Sequence, residues 1–216
     1  MLESIEYSKQ SFSIDRPTMS NGINSSLSNT LNSYAYASVQ MSAPAASFGT
    51  TTDISGYTST QIAGLTVNQV AALTTAQSIS ISSNAIAGLS ARQMQALQSA
   101  NIATLSTDQV AALSTEQLNA MRASQIGVMT TSQINALTNA QLAGMRDSQV
   151  AAFNSQRMGS VSNSVLQHMT VGQIQSLTTS QIISLIDTQL AALGTSQIAS
   201  MKATQIKAIE TRDLAA

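Results

Sequence analysis

From Tyr57 to Ala216 the apolar residues return every eighth position, with no insertion or deletion, so this stretch divides into twenty octads. The unit reads L-T-T-x-Q-I-x-A. Position one, as in Tyr57, Leu65, Leu73, Ile81, Met201 and Ile209, is apolar in all twenty octads, and position six is apolar in nineteen, Ser78 being the exception. Gln holds position five in fifteen octads, and position eight is Ala, Gly or Ser except at Thr104, Val128 and His168.

The period itself limits the secondary structure. Eight residues of continuous α-helix turn by about 800°, roughly 80° beyond two full turns, so the apolar stripe would circle one long helix instead of lining a face. In an uninterrupted strand, positions one and six have opposite parity and point to opposite faces. Each octad must therefore contain a break. The break is written at position two, where Thr or Ser stands in twelve octads, three residues before position five: Thr66 to Gln69, Ser106 to Gln109, Thr130 to Gln133, Thr178 to Gln181. This is the S/T-x-x-Q capping box, in which the hydroxyl accepts from the third helical N–H and the Gln reaches back to the N–H of the cap.

Every octad is thus expected to start a short helix of one to one and a half turns, too short to stand alone and stabilised by stacking on its neighbours. Position six and the following position one lie three apart and share a face, and the small residue between them lets turns approach closely. The expected fold class is an all-α solenoid of twenty short capped helical turns. The rival is a β-solenoid with two octads per coil; the abundance of Ala, Gln, Leu and Met argues against it. The pattern is most degraded at Gln77–Ile86 and Arg157–Leu166, eighty residues apart. The array therefore reads as two ten-octad halves, 57–136 and 137–216. Relaxed packing after a duplication explains the weak places, and a site where a neighbouring chain docks is the functional alternative.

Residues 1–56 follow no octad register. They hold 13 serines, Pro17 and Pro44, and most of the aromatics: Tyr7, Phe12, Tyr34, Tyr36 and Phe48. This composition is expected of an irregular or strand-like N-terminal arm. Its alternating pieces, around Phe12 and Ile14 and from Tyr34 through Tyr36 and Val39 to Met41, are the candidate assembly residues, because an extended segment binds by adding itself to a neighbour.

Composition removes most chemistry. Only 9% of residues are charged and the net charge is −1, which leaves no field to hold nucleic acid. With no cysteine and one histidine, His168, disulfides, thiolate chemistry and Cys/His zinc sites are excluded. His168 is read as a surface or loop residue. The methionines, among them Met121, Met129, Met145, Met169 and Met201, fall at apolar repeat positions and are read as core. Asp147 and Asp187 stand near helix starts, where a carboxylate suits the dipole, and Arg92, Arg122, Arg146 and Arg157 are read as solvated. Capping is the simplest role for the Gln column, with a hydrogen-bonded ladder along the solenoid as a further one. No catalytic residue, cofactor or metal site is expected, and no enzyme activity. No apolar run is long enough to span a membrane, and MLESIEYSKQ lacks the features of a Sec signal.

The octad L-[TS]-x-x-Q-[IV]-x-A resembles the repeat regions of large secreted bacterial proteins of the adhesin-like class, often labelled haem-utilisation proteins, across residues 57–216. The resemblance implies an extracellular or cell-surface structural role, reached without a Sec signal. Haem binding is not carried over, since only His168 and the methionines could ligate iron. The L-T-x-x-Q-V opening is also similar to the first helix of TAL-effector repeats, but the longer repeat, the base-reading loop and the basic charge are absent here, so DNA binding is not carried over. The expected function is an extracellular structural subunit that polymerises with copies of itself into a filament through the N-terminal arm. The alternative is a monomeric adhesin-like rod that binds a glycan or protein surface. Solenoids need polar caps to avoid end-to-end association, and these octads run to Ala216 without a separate capping domain.

Overall fold

The computed structural model describes residues 49–214, within the second of two units, Met1–Ala45 and Ala46–Ala216. The assembly residues expected at Phe12, Ile14, Tyr34, Tyr36, Val39 and Met41 lie outside the described residues.

The second unit is an all-α solenoid. Among the described residues there is no strand, and nineteen helices run from Ser59 to Leu214, one to each octad except at the end. The octad boundary is a pair of extended residues. Leu113 at position one has φ −64°, ψ 141°, and Ser114 at position two has φ −73°, ψ 159°, so the chain turns a corner before the helix Thr115–Ala120 begins. All twelve Thr and Ser residues at position two accept a hydrogen bond from the N–H three residues on, as the repeat predicts.

Helices pack on the third helix after them: Ser59–Ala63 on Ser83–Ile86, Val67–Ala71 on Ala91–Ala96, and onward to Thr179–Ile183 on Ala203–Leu214, the contact of Thr131–Asn135 with Ser155–Met158 being the weak one. One coil is therefore three octads, or 24 residues. Residues 24 apart stack in columns. Positions one and six both turn inward, so Leu113, Ile126, Ile134 and Leu142 are buried in one continuous core that runs through the described coils. The weak stretches Gln77–Ile86 and Arg157–Leu166 keep that core, since Ile86, Met158 and Leu166 are all fully buried. Eighty residues is three coils and one octad, so the two weak stretches lie on different faces of the stack.

Small residues at position eight stand where adjacent coils come closest. A β-carbon built on Gly88 would lie 2.1 Å from the Ser59 carbonyl oxygen, one coil below. The core also reaches further toward the N-terminus than the octad count from Tyr57: Ile54, in the place of a position six, is fully buried with the rest. At the other end one break is missing. The helix Ala203–Leu214 is 12 residues long and runs through the boundary at Ile209 and Glu210.

Candidate functional site

The repeated polar element of this fold is an interior ladder of glutamines. Gln133 shows the geometry. Its Oε1 accepts the Thr130 N–H at 2.8 Å, while its Nε2 donates to the carbonyls of Ile102 at 2.8 Å and Leu105 at 2.7 Å, both at the corner one coil below. One amide thus closes a helix N-terminus and ties that corner to the coil beneath. Gln109, Gln125, Gln149, Gln173, Gln181, Gln189, Gln197 and Gln205 repeat the arrangement, each reaching carbonyls 28 and 31 residues earlier. These side chains are buried with both ends of the amide paired, which a buried polar group requires.

The ladder also carries octads that have no hydroxyl cap. Arg122, Arg146, Ile186, Gly194 and Lys202 occupy position two, yet each donates its N–H to the Gln three residues on, at 2.7 to 3.1 Å. The Gln half of the box is therefore sufficient for the break. Where Gln is absent, other donors take its place: Asn101 Nδ2 reaches the Leu73 carbonyl at 2.8 Å, and Arg157 Nη1 reaches Val128 and Met129. Ala85 and Val165, eighty residues apart, have no side-chain donor to offer. Asp213 stands at position five of the twentieth octad, and it is there that the helix fails to break.

Arg122 and Arg146 are exposed, as the sequence suggests, and Arg157 is half-buried, but the arginines do more than face water. Three of the four expected to be solvated donate across coils: Arg122 to the Gln95 carbonyl, Arg146 to those of Asn119 and Met121, and Arg157 as above. A guanidinium on a flexible stem reaches backbone carbonyls one coil below, at the end of a helix for Arg122, at Asn119 and the corner carbonyl that Gln149 also uses for Arg146, and at a corner without a glutamine for Arg157; charge-assisted hydrogen bonds are the stronger kind. Arg212 does the same to Leu185 and pairs with Asp187 at 2.7 Å; Asp187 is 92% exposed, so this pair adds little stability. Asp147 instead packs beside Gly172, on the next coil. His168 is exposed, with Nδ1 2.7 Å from the Ser164 carbonyl, a bond within its own helix. Asp53 is held below the usual carboxylate range by the Ser55 N–H, which donates to it at 2.9 Å. No group of three or more His, Cys, Asp or Glu residues that could hold a metal occurs among the described residues, and none of their helices is long and apolar enough to cross a membrane.

Capping is the simplest role that the sequence gives the Gln column, and the structure adds the ladder to it. The signal for it was present: Gln fills more octads than Thr or Ser at position two, and no octad has Glu at position five. Glutamate closes a capping box as well as glutamine does. Only the amide supplies the second set of hydrogens, which the coil below requires.

The last coil differs from those beneath it. Position-six residues Leu166, Ile174 and Ile182 are fully buried. The residues stacked 24 positions later, Leu190, Ile198 and Ile206, are half-buried or exposed, with Ile198 46% exposed. No curated protein and no solved structure matches the chain. Residues 106–139 match the family model of the ALTTAQ repeat, a span that contains four rungs of the ladder, Gln109, Gln117, Gln125 and Gln133.

Proposed function

We propose that this chain is an extracellular structural subunit that assembles with copies of itself into a filament, with the part of the N-terminal segment before Gly49 as a linking arm, since Ile54 already belongs to the solenoid core. The observation that supports this most is the use of the repeat's own chemistry. The residues that recur, the hydroxyl at position two, Gln at five, the apolar pair and the small residue at eight, are all engaged in breaking helices and holding coil on coil. The surface they leave is polar and nearly uncharged, with a net charge of −1 over the chain, a condition that favours association. The extracellular assignment rests on the resemblance to secreted adhesin-like repeat regions.

Negative-stain microscopy of the full chain tests the reading. Fibres are expected, and a synthetic peptide of residues 1–48 added in excess is expected to shorten them by competing for the site of the arm. Separate particles at high protein concentration would overturn the proposal.

A second reading has its own observation. Position three on one face carries a hydroxyl in six successive coils, at Ser59, Ser83, Thr107, Thr131, Ser155 and Thr179, all exposed or half-buried. Such a column is suited to a hydroxyl-rich surface such as a glycan, and a monomeric adhesin-like rod follows if the chain stays monomeric and binds one.

A further inference from the structure

The glutamine ladder is interrupted at one step inside the stack. Three rungs join each coil of three octads to the coil below. Gln133, Gln141 and Gln149 tie 129–152 to the coil beneath, and Gln181, Gln189 and Gln197 tie 177–200 to theirs, all six through buried amides. Between 129–152 and 153–176 only Gln173 does so, reaching Leu142 and Met145. Val165 stands in the place of the second rung and has nothing to donate to the Leu137 carbonyl, whose counterpart 24 residues earlier, at Leu113, is held by Gln141. Arg157 fills the first rung by donating to Val128 and Met129, but a guanidinium has no acceptor with which to close its own helix. It is half-buried and belongs to neither of the ion pairs among the described residues, so water competes for its charge.

Further observations fall on the same step. Thr131–Asn135 and Ser155–Met158 make the weakest contact of any described helices stacked one coil apart, and Ser155–Met158 has only four residues and no capping box. The Ser162 N–H, which a glutamine at position 165 would accept, goes instead to Asn135 Oδ1 in the coil below, at 2.8 Å. Asn135 is exposed, so this tie exchanges for water at little cost, unlike a buried amide. The other octad without a rung, at Ala85, lies where Ser59–Ala63 and Ser83–Ile86 pack more closely.

We propose that this step is a hinge built into the solenoid: 129–152 and 153–176 part there while the coils on either side stay closed. Stacked repeats are held by nearest-neighbour contacts, so the weakest junction opens first and its neighbours remain folded units. Parting returns Arg157 and Asn135 to water and uncovers Leu137 on the lower lip and Val165 on the upper. Burial of Ile134 and Met158 opposes it, which keeps the closed stack the major form. The hinge does not depend on the self-assembly reading, and it gives the solenoid one place to bend or yield under load.

The chain contains no cysteine, so single cysteines placed in the full-length protein report opening through their rate of modification by a thiol reagent. Leu137→Cys probes the lower lip, Val165→Cys the upper, and Leu113→Cys the same column one coil down, where Gln141 holds the corner. Modification is expected to be about tenfold faster at positions 137 and 165 than at 113, slowed about tenfold by adding Arg157→Gln, which supplies a rung, and quickened by adding Asn135→Ala. In the parent chain, hydrogen exchange of the amides at 153–168 is expected to exceed that at 105–120 by a similar factor, a readout that needs no substitution. Equal modification at positions 137 and 113, or equal exchange in the two segments, would overturn the hinge. Fast modification at position 165 alone would also overturn it, because one helix would then fray while the coils stay together. Rates at both lips that respond to neither Arg157→Gln nor Asn135→Ala would show that the ties between coils do not govern the opening, and the proposal would fail.

Discussion

Gln133 is the sharpest place to test the ladder. It is 2% exposed, so water cannot replace the partners it loses. In Gln133→Leu the side-chain volume is nearly kept and three hydrogen bonds disappear. The Ile102 carbonyl still receives the Leu105 N–H at 3.3 Å, but the Leu105 carbonyl and the Thr130 N–H are left without a partner. Two orphaned groups at roughly 1 to 3 kcal/mol each put the loss at about 2 to 6 kcal/mol. Thr130→Ala removes only the hydroxyl that accepts the Gln133 N–H at 3.2 Å, a cap worth about 1 kcal/mol. Gln133→Glu separates the two functions further. The carboxylate still accepts from Thr130, but as an anion it faces two carbonyls in a buried site, which raises its folded pKa above the unfolded value of about 4.3. Whatever stability the protonated form retains is present below that pH and is lost as pH rises through the folded pKa. Urea unfolding of the three variants, followed by circular dichroism, measures the order, and hydrogen exchange at residues 100–110 reports whether the lower coil loosens. Equal losses in Gln133→Leu and Thr130→Ala would refute the argument, because the amide would then be only a cap. A Gln133→Glu variant as stable near pH 7 as near pH 4 would refute the assignment of its Nε2 as an obligatory donor.

Three further outcomes follow from the packing. Ile134 is fully buried, and Ile134→Ala is expected to cost roughly 2 to 5 kcal/mol in the same urea assay; a loss below 1 kcal/mol would show that the stack closes over the cavity. Gly88→Ala sets a β-carbon 2.1 Å from a backbone oxygen, that of Ser59, and is expected to destabilise by about 1 to 3 kcal/mol, whereas Gly144→Ala meets only the Thr115 methyl, which can rotate, and is expected to cost less; the reverse order in thermal melts would contradict the coil spacing. Ser78 is the one polar residue at position six, 1% exposed with its Oγ unpaired, so Ser78→Ala is expected to raise stability by about 1 kcal/mol, and a loss on substitution would mean that the hydroxyl has a partner.

The local structure of this protein is legible in its sequence because it is decided by neighbours in the chain. Thr130 and Gln133 stand three apart, which is the reach of a capping box. Ile134 and Leu137 stand three apart, which puts them on one face of a turn. The period of eight, incompatible with a continuous helix or strand, requires a break in each octad. From these the helices, their starts and the inward positions follow without knowledge of any tertiary contact. The number of octads in a coil does not follow, since nothing within eight residues records which later octad will lie on top. That number is set by how sharply the two extended residues at each corner turn the chain, and by the coil at which the Gln133 amide finds the carbonyls of Ile102 and Leu105, 31 and 28 residues away. The same separation hid the roles of Arg122, Arg146 and Arg157, each of which looks solvated beside its own neighbours and donates to the coil below. It also hid the difference between Ile174, which is fully buried, and Ile198 one coil later, which is the same residue type at the same position and 46% exposed among the described residues. Side-chain chemistry decided each turn, and backbone carbonyls a full coil away decided how the turns stack.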